Sequence, residues 1–281
     1  MVKIREQFKV IFVICWLWIC FGFYLVVSVA GCCGRDPDYS EPMINGWLYR
    51  GEYYDNTVEY ERYVEVFDPK GLRMVPVVSL NKESLPAFYY SWTKYAYKDS
   101  NQFMVNQPYE LKVEHFWGKA SARVTMPGNF SIHRPREGYI LDLDSTLYIS
   151  WSKSAGAQWY FAEIDIEYNY RGTNGEDDDQ IFQLDTLLTD TLLVIPSERI
   201  FPAFVADVYE GDGCVVVWSG NGPAIEPGDK GNIQGSGFGF FNAINEPREK
   251  YFYVGAPISL RRCSDMQAVR DRMKALLLKR Q

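Results

Sequence analysis

The sequence predicts a mainly β protein: two antiparallel β-sandwich domains between an N-terminal apolar helix and a C-terminal amphipathic helix. Three observations predict it. Apolar residues alternate with polar ones at a period of two in several separate stretches. The chain is rich in Tyr, Val and Thr, with 22 Gly and 14 Pro to break it into short runs. Helical spacing appears only near the two ends.

Lys3, Arg5 and Lys9 precede an uncharged run from Val10 to Ala30. That is longer than the core of an ordinary signal peptide, about 7–15 residues, and close to the roughly 20 that cross a bilayer. The run ends in Val29-Ala30-Gly31-Cys32. This tetrad resembles the lipobox of bacterial lipoprotein signal peptides, and the resemblance implies cleavage before Cys32 and lipid on its thiol. The alternative is a retained transmembrane anchor. Either way the basic end stays in the cytoplasm and the remainder is exported to the cell envelope.

The expected order is a signal peptide or anchor over 1–31, a polar tether over 32–43, a first sandwich over 44–127 and a linker over 128–138. A second sandwich covers 139–260 and a helix 261–281. In the first sandwich Val58, Tyr60, Val64 and Val66 oppose Glu59, Glu61 and Glu65, which marks a half-buried strand with the glutamates outward. Pro76 makes the run Arg73 to Leu80 an edge strand or a bulge. Ala87 to Tyr97 reads as one aromatic strand. Tyr109, Leu111, Val113 and His115, then Ala120, Ala122, Val124 and Met126, form a hairpin about Phe116–Lys119.

In the second sandwich Leu147, Ile149 and Trp151 alternate with polar residues, and a turn at Ser154–Gly156 leads to Tyr160, Ala162, Ile164, Ile166 and Tyr168. Asn174-Gly175 supplies a hairpin turn, with Glu176–Asp179 read as an acidic loop. Gly211-Asp212-Gly213 reads as a turn between two strands, Phe201–Tyr209 and Cys214–Trp218. Alternate glycines in Gly235–Phe241 leave one strand face bare for close approach. Beyond Ser264 and Gln267, Met266, Val269, Met273, Leu276 and Leu277 recur at helical spacing among basic residues. The segment Leu147–Tyr160, with Trp151 and Tyr160, resembles the second and third strands of fibronectin type III domains. Together with the Ig-like first unit and the lipobox, the chain resembles uncharacterised bacterial envelope lipoproteins, which implies export, anchoring and interaction.

The net charge of −7 rests on 36 acidic against 29 basic residues, so the field draws neither nucleic acid nor anionic lipid, and membrane attachment is left to the N-terminus. No phosphate-binding loop, His-Glu-x-x-His, Cys-x-x-Cys or Gly-x-Ser-x-Gly is present. There are two histidines, His115 on an apolar strand face and His133 in the linker, too few for a zinc site or triad without help from the fold. Asp142 and Asp144 share a strand side and are the one candidate carboxylate pair for hydrolysis. The expectation is therefore a non-enzyme with no cofactor and no metal. Cys214 and Cys263 are a candidate disulfide in an oxidising compartment, with two separate thiols as the alternative. Trp159 and Phe161 point away from the Ala162 face and are a candidate ligand platform. Trp47, Trp92 and Trp117 lie in loop-rich surroundings. The expected function is binding or scaffolding toward an envelope protein; the alternative is glycan binding through exposed aromatics.

Overall fold

The computed structural model describes residues 41–53, 55–224 and 231–256, within one compact unit spanning Glu41–Gln281. The apolar run Val10–Ala30, Cys32, the tether to Ser40, Cys263 and the C-terminal helical pattern lie outside these residues. Among the described residues no helix is long and apolar enough to cross a membrane.

The protein is mainly β, in three sheets. Its strands, in order, are β1 (Met43–Glu52), β2 (Val58–Phe67), β3 (Val77–Leu80), β4 (Glu83–Ser84), β5 (Ala87–Tyr90), β6 (Lys94–Asp99), β7 (Pro108–His115), β8 (Gly118–Thr125), β9 (Ile132–Arg134) and β10 (Ile140–Leu141). There follow β11 (Leu147–Trp151), β12 (Trp159–Gly172), β13 (Asp177–Leu188), β14 (Leu192–Ile195), the single helical turn α1 (Ser197–Ile200), β15 (Val205–Asn221), β16 (Gln234–Gly235), β17 (Phe238–Glu246) and β18 (Lys250–Gly255).

Ten strands share one sheet: β10-β18-β15-β17-β1-β2-β6-β5, with β12 pairing β15 and β13 pairing β12. The five-stranded sheet β16-β8-β7-β3-β4 packs on one half of it. Ile44, Leu48, Val64, Val66, Phe241 and Ala243 meet Val78, Leu111, Val113, Ala122 and Val124 there. The three-stranded sheet β14-β11-β9 packs on the other half, where Ile149 and Trp151 meet Ala162, Ile164, Ile166, Val215, Val217 and Phe252. Trp151 and Tyr160 touch, with ring centroids 5.5 Å apart.

Residues 128–138 do not divide the chain into two self-contained halves. β17 comes from the far end of the sequence, yet it pairs parallel with β1, from Met43↔Phe238 to Gly51↔Glu246. Its Phe241 and Ala243 complete the first core. β16 adds to β8 in the same way. β10 also pairs parallel with β18, so the sheets are not wholly antiparallel.

Several local expectations change. Gly211 and Gly213 make no turn: β15 is one continuous strand of 17 residues. A Cβ at Gly211 would lie 2.5 Å from the Glu167 carbonyl oxygen, and one at Gly213 would lie 2.2 Å from the Phe252 ring. Those glycines admit neighbours. The acidic run is strand, not loop: Asp177, Asp178 and Asp179 open β13 opposite Arg171, Tyr170 and Asn169. Ala87–Tyr97 is two strands, β5 and β6, joined by a turn at Ser91–Thr93. Pro76 ends just before β3, which pairs with β7 on one side and β4 on the other, so it is an entry point and no edge.

Glu61 and Glu65 do face away from Val64 and Val66, but they are buried too, at 3% and 4% exposure. From Glu61 to Val66, β2 is thus buried or half-buried on both faces. Gly235–Phe241 is not one strand, since Gly235 ends β16 and β17 starts at Phe238, but close approach holds at Gly239, whose Cβ would sit 2.1 Å from the Ile44 carbonyl oxygen. His115 is a satisfied core residue, with Nε2 2.5 Å from the Ser236 carbonyl oxygen.

Candidate functional site

Trp159 and Phe161 leave the Ala162 face as the alternation requires, but they do not meet solvent. Their exposures are 2% and 8%. They belong to a third cluster, on the outer face of the large sheet, with Trp47, Tyr49, Cys214, Val216, Trp218, Ile244 and Tyr251. Trp159 lies flat over Gly220, whose Cβ would fall 2.0 Å from the indole, and its Nε1–H donates to the Gly222 carbonyl oxygen at 3.1 Å. Phe161 packs on Trp218 at 5.6 Å between centroids. The strand pattern gives the direction of these rings; it does not show what lies above them.

Several carboxylates of that face are paired with indole and tyrosine donors. Glu246, fully buried, accepts from Trp218 Nε1 at 2.8 Å and from the Tyr49 hydroxyl at 2.5 Å. Glu61 accepts from Trp47 Nε1 at 2.6 Å and from Lys98 Nζ at 2.6 Å. Burial, then the hydrogen bond to Glu65, raises the Tyr63 hydroxyl well above the ordinary tyrosine range. Carboxylates held by indole N–H groups in this way organise a sheet face, since a buried polar group without a partner costs about 1–3 kcal/mol.

Cys214 sits in this cluster and is disulfide-bonded. Cys263 and Cys32 lie outside the described residues. Asp142 and Asp144 are exposed on a turn in which Ser145 N–H donates to the Asp142 carbonyl oxygen at 2.9 Å. Asp177 is held below the usual carboxylate range, first by Arg171 and then by the Tyr209 hydroxyl. Among the described residues no three His, Cys, Asp or Glu side chains are placed to hold a metal.

Solvent-facing aromatics gather elsewhere, where three turns of the first half meet. The turns are Asp68–Pro76 between β2 and β3, Ser91–Thr93 between β5 and β6, and Phe116–Trp117 between β7 and β8. Trp92 is 73% exposed, Phe116 50% and Trp117 39%. None hangs free. The Trp92 indole lies over Gly71, whose φ is +91° and whose Cβ would be 2.5 Å from the ring. Leu72 N–H donates to the Trp92 carbonyl oxygen at 3.0 Å, and Asp68 N–H to that of Thr93 at 2.9 Å. Trp117 Nε1–H donates to the buried Asp68 carboxylate at 3.2 Å. The Arg73 guanidinium lies 5.2 Å over the Phe116 ring and 5.1 Å over the Trp117 ring. Met74 and Val75 extend the apolar surface. Next to this end, β5 exposes Phe88, Tyr89 and Tyr90 at the edge of the large sheet.

Of the three tryptophans read as loop-borne, Trp92 and Trp117 therefore belong to this surface. Trp47 does not; it stacks on Tyr63 at 4.1 Å in the buried cluster. Asp68, Gly71 and Arg73 carried no functional signal in the sequence.

No protein-family model and no curated protein matches this chain. A solved structure of the fibronectin(III)-like modules of Clostridium thermocellum CbhA aligns with 79% of this chain and 98% of that chain, at 7% identity and a TM-score of 0.26. Nothing further rests on a likeness of that TM-score.

Proposed function

We propose that this is a non-catalytic binding protein of the bacterial envelope, exported and held by lipid on Cys32 or by a retained N-terminal helix. We read its layered halves as Ig-like and fibronectin type III-like sandwiches, and the aromatic loop end as its contact surface for an envelope protein. One observation carries the reading: Trp92 is 73% exposed and yet fixed against Gly71 beside Phe116, Trp117 and Arg73. Ordering a side chain on binding costs about 0.5–1.5 kcal/mol, and here the rings are positioned beforehand. Rigid aromatics with an arginine among them have the composition of interface hot spots.

A second reading is favoured by Asp68 and Arg73, which set a carboxylate and a guanidinium beside the rings. Aromatic faces flanked by polar groups also suit a sugar. A photo-cross-linker at Phe116 in intact envelopes separates the two. A defined protein adduct that Trp92→Ala reduces at least tenfold supports the protein partner, whereas envelope polysaccharide retained by the full chain and lost with Trp92→Ala supports the sugar. If neither changes with Trp92→Ala, the aromatic end is not the contact surface.

A further inference from the structure

We propose that a groove between the β9–β10 connection and β11 binds an anionic sugar, a pyranose ring bearing a carboxylate or a phosphate. The groove encloses about 490 Å³ and is lined by Arg134, Pro135, Arg136, Gly138, Tyr139 and Tyr148, with Glu137 at its wall. That volume falls within the 300–1,000 Å³ range of small-molecule sites. It shares no residue with the aromatic loop end.

The walls are set by the fold. Arg134 closes β9 and pairs with Ser150 of β11. Tyr148 stands two residues before Ser150 on the same strand side, 48% exposed, because Leu147 and Ile149 take the core side. The connection then turns back on itself, with Tyr139 N–H donating to the Arg136 carbonyl oxygen at 3.0 Å. Tyr139 is fixed by Tyr253 N–H, which donates to its carbonyl oxygen at 2.8 Å, and by Phe252, 6.4 Å from its ring. Gly138 has φ +75°, and a Cβ there would meet nothing within 4 Å, so that side of the turn is open.

Charge then selects the ligand. Neither the Arg134 nor the Arg136 guanidinium has an ion pair or side-chain hydrogen bond among the described residues, whereas Glu137 is already engaged. Two unpaired guanidiniums in a chain of net charge −7 form a local positive site. Each presents a planar fork that fits a carboxylate or phosphate in bidentate fashion. The tyrosine faces suit the C–H face of a pyranose. An inorganic anion would leave those rings unused, and a neutral sugar would leave the guanidiniums unused.

The test is calorimetric titration of the full chain with tetragalacturonate, glucose 6-phosphate, neutral cellotetraose and inorganic phosphate. Binding of tetragalacturonate or of glucose 6-phosphate is expected, and which of the two binds more tightly identifies the anion. Arg134→Ala and Arg136→Ala should each weaken it at least tenfold, the Lys variants less, and Trp92→Ala not at all. Tyr148→Ala, whose side chain is half exposed and outside the core, should weaken it also and guards against an arginine variant that fails to fold. Equal binding of cellotetraose or inorganic phosphate, unchanged binding in the Arg134→Ala, Arg136→Ala double variant, or no binding of either anionic sugar up to about 10 mM overturns the proposal.

Discussion

Gly220 shows how much a missing side chain decides in this protein. Its Cα is roofed by the Trp159 indole at a distance no Cβ tolerates. Trp159 is itself held by the Gly222 carbonyl, so the ring cannot slide away without losing a hydrogen bond. Overpacking a closed site costs about 1–3 kcal/mol. Gly220→Ala should lower stability by that amount in urea denaturation, while Gly138→Ala, with open space around it, should show only the smaller cost of its positive φ. At this scale the sequence was half legible. Parity along β12 gave the direction of Trp159 and Phe161, and the apolar strand face gave the burial of His115. What covers a ring, or whether Gly211 turns the chain or merely admits Tyr168, depends on a neighbour distant in sequence.

At the scale of elements, alternation worked where one face is wet, as in β7 and β8. It failed in β15, where Cys214 to Trp218 are buried on both sides and the glycines look like punctuation. β17 pairs with β15 only from Ala243 to Asn245, and Asn232 serves the strand just before that stretch. Asn232 donates from Nδ2 to the Phe241 carbonyl oxygen at 2.9 Å and accepts from the Phe241 N–H at Oδ1 at 2.8 Å. One side chain thus stands in for a strand partner. Asn232→Ala leaves both groups unpaired beside a buried ring and should cost about 1–3 kcal/mol in the same assay, with Asn232→Asp intermediate because it keeps the acceptor and loses the donor. β13, which pairs only with β12, carries Asp177, Asp178 and Asp179 on an edge strand, charges that discourage edge-to-edge pairing.

For the whole molecule, the sheet-rich class was legible and the route of the chain was not. Short-range patterns report strands; they do not report that β1 takes as its partner a strand almost two hundred residues away. The first core therefore closes only when the last strands arrive. A fragment of residues 41–127 lacks Phe241 and Ala243 and leaves one edge of β1 bare. It should remain unfolded, with collapsed amide dispersion in a heteronuclear NMR spectrum, whereas a fragment reaching Ala256 should fold. The aromatic loop end was legible only as a density of Trp and Tyr, because its geometry comes from three turns brought together where the large and the five-stranded sheets pack.

The placement of β1 also has a mechanical meaning. It lies between β2 and β17, hydrogen-bonded along nearly its full length on both sides. These bonds run across the strand. A force drawn along the chain through Glu41 would therefore load both ladders in shear, so that many bonds must yield together. An end strand bonded along one side only would peel away one bond at a time. The N-terminal entry to the fold is a clamp against extension.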